Sequence, residues 1–141
     1  MKTEFTFAEV AKIFAQVEKV ENAANWAAET SDKFTCIDAK FDGEFEKYNY
    51  TFFGAPDSLH DLFEQKTSAM DAMKKAERKA FKAIKDFAEI IGINENPGDY
   101  AEVKINYFLH NRCYWEIADM VYAVKSLAMD ATRKIDINAY Y

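Results

Sequence analysis

The sequence predicts a mainly α (α+β) protein: an N-terminal helix, one β-hairpin, then a long antiparallel helical hairpin. Three observations predict it. Apolar residues recur at three- and four-residue intervals from Leu59 to Ile91 and again from Val103 to Ile135, the spacing that holds side chains on one side of a helix. Between residues 33 and 53 that period gives way to an alternation, the mark of a strand. With four glycines and two prolines in 141 residues, the chain is too poor in turn formers for an all-β fold.

The first helix is predicted over about 7–29. Thr6-Phe7-Ala8-Glu9 has capping-box spacing, and Phe7, Val10, Phe14, Val17 and Ala24 follow at helical intervals, flanked by Ile13, Val20 and Trp26. Thr30-Ser31-Asp32 is expected to stop it, because these side chains compete for backbone partners. Thr35, Ile37, Ala39 and Phe41 then alternate, and Asp42-Gly43 is a two-residue turn signal. The expected hairpin joins 33–41 to 44–53, with Ile37 opposite Tyr48, Thr35 opposite Tyr50 and Asp38 facing Lys47.

Gly54-Ala55-Pro56 ends that segment, and Asp57 or Ser58 is placed to cap a helix over about 57–91. Its stripe reads Leu59, Leu62, Lys66, Ala69, Met73, Ala76, Ala80, Ile84, Phe87 and Ile91, and Gly92 suits the position just past its end. Asn94 to Gly98 is a turn cluster, after which Asp99 starts a last helix running to about 134. That helix carries Val103, Tyr107, His110, Tyr114, Ile117, Val121, Val124, Ala128, Ala131 and Ile135 on one side and Ile105, Leu109, Cys113, Met120, Ala123 and Leu127 on another. A helix apolar on two sides needs cover on both, from the first helix or from a second copy of the chain, and the length of the two helices favours the homodimer. All of residues 1–141 are read as one domain.

Composition narrows function. No run of about 18 apolar residues is present, so no membrane span is expected, and the N-terminal residues lack a secretory pattern. Cys36 and Cys113 fall on different elements without C-x-x-C spacing and read as reduced, buried thiols, which together with the rest points to the cytoplasm. Net charge is −6 but uneven: residues 1–64 hold six Lys against thirteen Asp and Glu, whereas residues 74–85 hold six Lys and Arg against one Glu. No P-loop, dinucleotide fingerprint, nucleophile elbow or zinc-protease motif occurs, no cofactor is implied, and no metal ligand set is assigned. His110 interrupts the last ladder and reads as a structural histidine that sets register.

The sequence therefore favours a non-enzymatic protein-interaction module. Its acidic face is Glu18, Glu21, Glu29, Asp32, Asp38, Asp42, Glu44 and Glu46, and its aromatic anchors are Trp26, Tyr48, Tyr50, Phe52 and Tyr140. This profile of small size, acidic surface and surplus aromatics is similar to that of the small inhibitors of phages and mobile elements, anti-CRISPR proteins among them. The resemblance implies an acidic surface that stands in for a nucleic-acid backbone, and another protein as partner. One alternative is a nucleic-acid or nucleotide-binding helical protein, with Lys74, Arg78, Lys82 and Lys85 on one side of their helix as phosphate ligands. A second is a metal-dependent hydrolase centred on His60, with Asp57, Asp61 and Glu64 nearby in sequence.

Overall fold

The computed structural model describes residues 1–94 and 97–135. Its elements are α1 (Phe7–Glu46), α2 (Asp57–Ile91), α3 (Tyr100–Asn111), a 3-10 turn at Tyr114–Glu116 and α4 (Ile117–Thr132). The described residues divide into two compact units: Met1–Asn25 with Glu77–Tyr141, and Trp26–Ala76. Both α1 and α2 contribute to each unit.

The first unit buries the large side chains. Phe5, Ile13, Val20, Ile84, Phe87, Ile91, Ile105, Phe108, Met120, Val124 and Leu127 are all essentially inaccessible. Burying each such side chain contributes about 1.5–3 kcal/mol before entropy is counted. The capping box forms as its spacing predicts: Glu9 N–H donates to Thr6 Oγ1 at 3.1 Å and Thr6 N–H donates to Glu9 Oε1 at 3.2 Å. The Lys2 ammonium also donates to Glu9 at 2.6 Å, and these bonds hold the Glu9 carboxyl below its ordinary range. Gln16, buried on α1, donates through Nε2 to the Ala83 carbonyl of α2 at 2.9 Å. The Met1 amino group meets the buried Glu102 carboxylate at 3.0 Å. Phe5 N–H donates to Lys134 O at 2.9 Å, and an isolated parallel bridge joins Phe5 to Ile135. The stripe expected of the first helix is rotated slightly, for Val10, Val17 and Ala24 are buried while Phe7 and Phe14 stay exposed.

The last helix is broken, contrary to the continuous rod expected over 99–134. Asp99 does cap its start, accepting from Ala101 N–H at 2.8 Å. Arg112 then adopts a left-handed conformation (φ 52°) and its N–H donates to Phe108 O, which ends α3. Tyr114–Glu116 form a 3-10 turn and α4 begins at Ile117, with α3 and α4 packed on each other. The break divides the ladder. Val103, Tyr107 and His110 face water, whereas Ile117, Val124, Ala128 and Ala131 are buried. His110 is thus an exposed residue in the last turn of α3 and not a seam histidine.

The second unit is a helical hairpin, not a β-hairpin. Residues 33–46 complete α1, and no strand occurs among the described residues. The reason lies in Phe34, Ile37, Phe41 and Phe45, which recur at three- and four-residue steps in phase with Val10, Val17, Ala24 and Ala27 earlier on α1. All four are buried or half-buried, whereas Thr35 and Ala39 of the supposed alternation are exposed. The expected stop at Thr30 fails because its hydroxyl donates within the helix, to Trp26 O at 2.9 Å and Ala27 O at 3.0 Å. Asp42-Gly43 lies inside α1.

α1 ends where Lys47, Tyr48 and Asn49 N–H groups donate to carbonyls three residues back, and Tyr50 N–H reaches Phe45 O at 3.1 Å. Asn49 and Tyr50 both hold positive φ, 56° and 58°. α2 starts after Pro56, whose carbonyl accepts from Leu59 N–H at 3.0 Å, and its predicted stripe is buried or half-buried throughout. Gly92, at φ 78°, ends α2 as expected. Inside the hairpin, Lys66 Nζ lies 2.8 Å from Asp38 Oδ1 and 4.8 Å from the centre of the Phe41 ring. The two polar residues of the facing stripes therefore satisfy each other, a device that fixes register. Asp38 does not meet Lys47, which instead bonds Glu44 at 2.9 Å and has its ammonium pKa raised by that bond.

Candidate functional site

The turn end of the helical hairpin gathers aromatic rings that its own helices only partly cover. Phe52 sits among four of them: Phe45 at 4.9 Å, His60 at 5.0 Å, Phe63 at 5.5 Å and Phe41 at 6.2 Å between centroids. Phe41 also stacks on Phe45 at 4.9 Å and meets Phe63 at 5.5 Å. Tyr50 leans its edge on Phe45 at 5.9 Å yet remains 65% exposed. Phe53 joins none of these stacks and is 92% exposed. It is held out by a tight turn, in which its N–H donates to Thr51 Oγ1 at 3.2 Å and Ala55 N–H donates to Phe52 O at 3.1 Å. Gly54 supplies the positive φ (74°) that this turn requires.

Charge surrounds the rings. Residues 42–64 carry Asp42, Glu44, Glu46, Asp57, Asp61 and Glu64 against Lys47 as the one lysine. All six carboxylates are exposed. An open groove of about 690 Å³ runs along the same hairpin, lined by Ile37, Ala69 and Ala72 with Lys33, Asp61, Glu64 and Gln65 at its rim. Tyr50 lies in the left-handed region, an uncommon backbone state for a bulky residue.

Of the acidic face read from sequence, Glu18 and Glu21 belong to the first unit, and Glu21 pairs with Lys125 at 3.2 Å. Glu29, Asp32, Asp38, Asp42, Glu44 and Glu46 belong to the second, where Asp38 is committed to Lys66 and the last three reach the turn end. Of the aromatic anchors, Tyr48, Tyr50 and Phe52 lie in that turn, Trp26 is half-buried at the other end of the unit, and Tyr140 lies outside the described residues. Phe41, Phe45, Phe53 and Phe63 were not among the expected anchors. Six aromatic residues among the thirteen from Phe41 to Phe53, running into Gly54 and Pro56, are the sequence signal that marks them.

Lys74, Arg78, Lys82 and Lys85 are all exposed on α2, and Lys82 bonds Asp86 at 3.1 Å. His60 stacks on Phe52, and no group of three or more potential metal ligands occurs among the described residues. Cys36 is exposed, not buried as expected, whereas burial pushes the Cys113 thiol up from its ordinary value. No helix among the described residues is long and apolar enough to cross a membrane. The chain matches no protein-family model, no curated protein and no solved structure.

Proposed function

We propose that this chain is a non-enzymatic protein-interaction module that docks through the turn end of its helical hairpin onto a cationic surface of another protein. The observation that carries this reading is the pairing of uncovered aromatics, Phe53 above all, with a six-to-one excess of carboxylates over lysine in the same stretch. Large rings supply binding energy when a partner removes them from water, and charge excess steers a partner of opposite sign. A small acidic inhibitor of the phage or mobile-element type is the form of this reading we favour. There the carboxylates would occupy a groove built for a nucleic-acid backbone.

The test is affinity capture from the source cell with the wild-type protein and with Phe53→Ala. A partner held by the wild type, released by salt and lost from Phe53→Ala supports the reading. Equal recovery by both proteins contradicts it. Salt sensitivity is expected because exposed charges are screened over about 8 Å at physiological ionic strength.

The exposed cations of α2 favour a second reading, phosphate binding by Lys74, Arg78, Lys82 and Lys85. Salt-dependent retention on DNA or RNA, abolished by Arg78→Glu with Lys82→Glu, would support it, and no retention at low salt would reject it. A metal-dependent hydrolase centred on His60 has no observation in its favour.

A further inference from the structure

Within the first unit, two separate stretches of chain bring cations to one place. On α2, residues 78–85 carry Arg78, Lys79, Lys82 and Lys85 with no acidic residue among them. Phe81 lies three residues after Arg78 and four before Lys85, so these side chains are neighbours on one side of the helix. The Phe81 ring is half-buried, held by Phe108 at 5.6 Å and Tyr114 at 5.9 Å between centroids. Arg112 ends α3 in its left-handed conformation and brings its guanidinium to 5.8 Å from the centre of the same ring.

We propose that Arg112, Arg78 and Lys85 form one site for the phosphodiester backbone of a nucleic acid. This deepens the phosphate-binding reading of α2 and rests on it. Arg112 is what takes it beyond a charged helix face, because it comes from the break between α3 and α4 and no helical period places it there. A ring against the flat face of a guanidinium restrains it and leaves the N–H donors around its edge available for phosphate oxygens. Among the described residues, no hydrogen bond or ion pair engages the side chains of Arg112, Arg78 or Lys85. By contrast, Lys82 is held by Asp86 at 3.1 Å and Arg133 by Asp130 at 3.6 Å. Of the other carboxylates on this part of α2, Glu77 is half-buried with an interaction of its own, and Glu89 is exposed one turn beyond Lys85.

The layout fits a strand better than a free nucleotide. Arg78 and Lys85 are exposed and stand about 10 Å apart along α2, a row of charge and not an enclosure. A small ligand is normally buried in a concave pocket, whereas a backbone needs only cations along its path. Phe81 is already covered by Arg112, Phe108 and Tyr114, so its ring is not offered to a base. Contacts to phosphate alone carry no sequence information.

The experiment is fluorescence anisotropy on the full chain with a labelled DNA of about 15 nucleotides, alone and in duplex, over a salt series. Three phosphate contacts should give a slope of log affinity against log salt of about −2 for the single strand and about −3 for the duplex. Two unrelated sequences should bind equally. Arg112→Gln should weaken binding about 10-fold and flatten the single-strand slope by about 0.7. Arg133→Gln removes an equal charge from an arginine that is already paired, and should change neither. Circular dichroism checks the fold, and Arg112→Gly, which suits the left-handed position, should show the same loss of binding. If both Arg112 variants bind as Arg133→Gln does, while Arg78→Glu with Lys82→Glu abolishes binding, the proposal is overturned and the reading of α2 alone stands. No binding by the wild type at the lowest salt would overturn both. Displacement of the DNA by ATP at the same concentration would overturn the backbone as ligand.

Discussion

The two units seal their phenylalanines to different extents, although the first also exposes Tyr100, Tyr107, Trp115 and Tyr122. In the first, Phe5, Phe87 and Phe108 are sealed from water among Ile, Val, Leu and Met. In the second, Phe41 is the one phenylalanine that is buried, and Phe45, Phe52, Phe53, Phe63 and Tyr50 keep partial or nearly full access to solvent. The stripes facing each other inside the hairpin are thin, with Ala27, Ala69 and Ala76 at buried positions and the Asp38–Lys66 pair in their midst. Unburied aromatics contribute little to folding and much to association. The contrast teaches that the first unit holds the larger sealed core, whereas the second leaves most of its phenylalanines open to solvent.

The largest effect expected from this contrast is at Phe87. Phe87→Ala should cost about 3–5 kcal/mol in urea unfolding, the usual loss for a fully buried phenylalanine. A loss under about 1 kcal/mol there, which belongs to surface changes, would remove the basis for assigning stability to the first unit.

Next comes the Asp38–Lys66 pair. A double-mutant cycle with Asp38→Ala and Lys66→Ala should give a coupling of about 1 kcal/mol, the upper end for pairs that keep some solvent access. A coupling indistinguishable from zero would mean that the pair does not help set the hairpin's register.

The same residues explain what could be read in the sequence. The α2 stripe was legible because Leu59 to Ile91 obeys one period without a competing pattern, and Thr6, Gly92 and Asp99 announced helix ends by local chemistry alone. Residues 33–46 were not, because Ile37 and Phe41 belong equally to an alternation and to a helical stripe. Only Phe34 and Phe45 separate the two periods, and Thr30, read as a breaker, bonds back into its own helix. The interruption of the last helix had no sequence mark, since the residue that turns it is Arg112 and not a glycine. The candidate site was half legible. Tyr48, Tyr50, Phe52, Glu44 and Glu46 were expected on one strand with Asp42 in the turn before it, whereas the structure carries them at the end of α1 and in the turn that follows. A strand reading gave no reason to add Phe63 or His60 from α2, which only the helical hairpin brings to them.

Smaller effects should follow at the turn. Tyr50→Gly relieves a left-handed conformation that costs a bulky residue about 1 kcal/mol while losing one edge contact, so melting should shift by no more than about 0.5 kcal/mol. Partner binding, where it is found, should nevertheless fall. A large loss of stability with binding intact would reverse the roles given to the two units.

The thiols give the mildest contrast. Cys36 should react at once with a thiol reagent in the native protein, and Cys113 only as the first unit opens. Burial raises the Cys113 pKa, so its neutral form favours folding below the unfolded thiol value. That contribution is lost as pH rises toward and through the native value. Equal labelling rates at neutral pH would contradict the burial of Cys113.

Helices α1 and α2 each run through both units, which allows the division of labour to be tested within single helices. Native-state hydrogen exchange read residue by residue is the direct measurement. The amides of residues 10–24 and 78–91 should open only near the global unfolding free energy, and those of 30–46 and 57–75, on the same two helices, should open well below it. Uniform protection along the whole of α1 and α2 would contradict the assignment of the larger share of stability to the first unit.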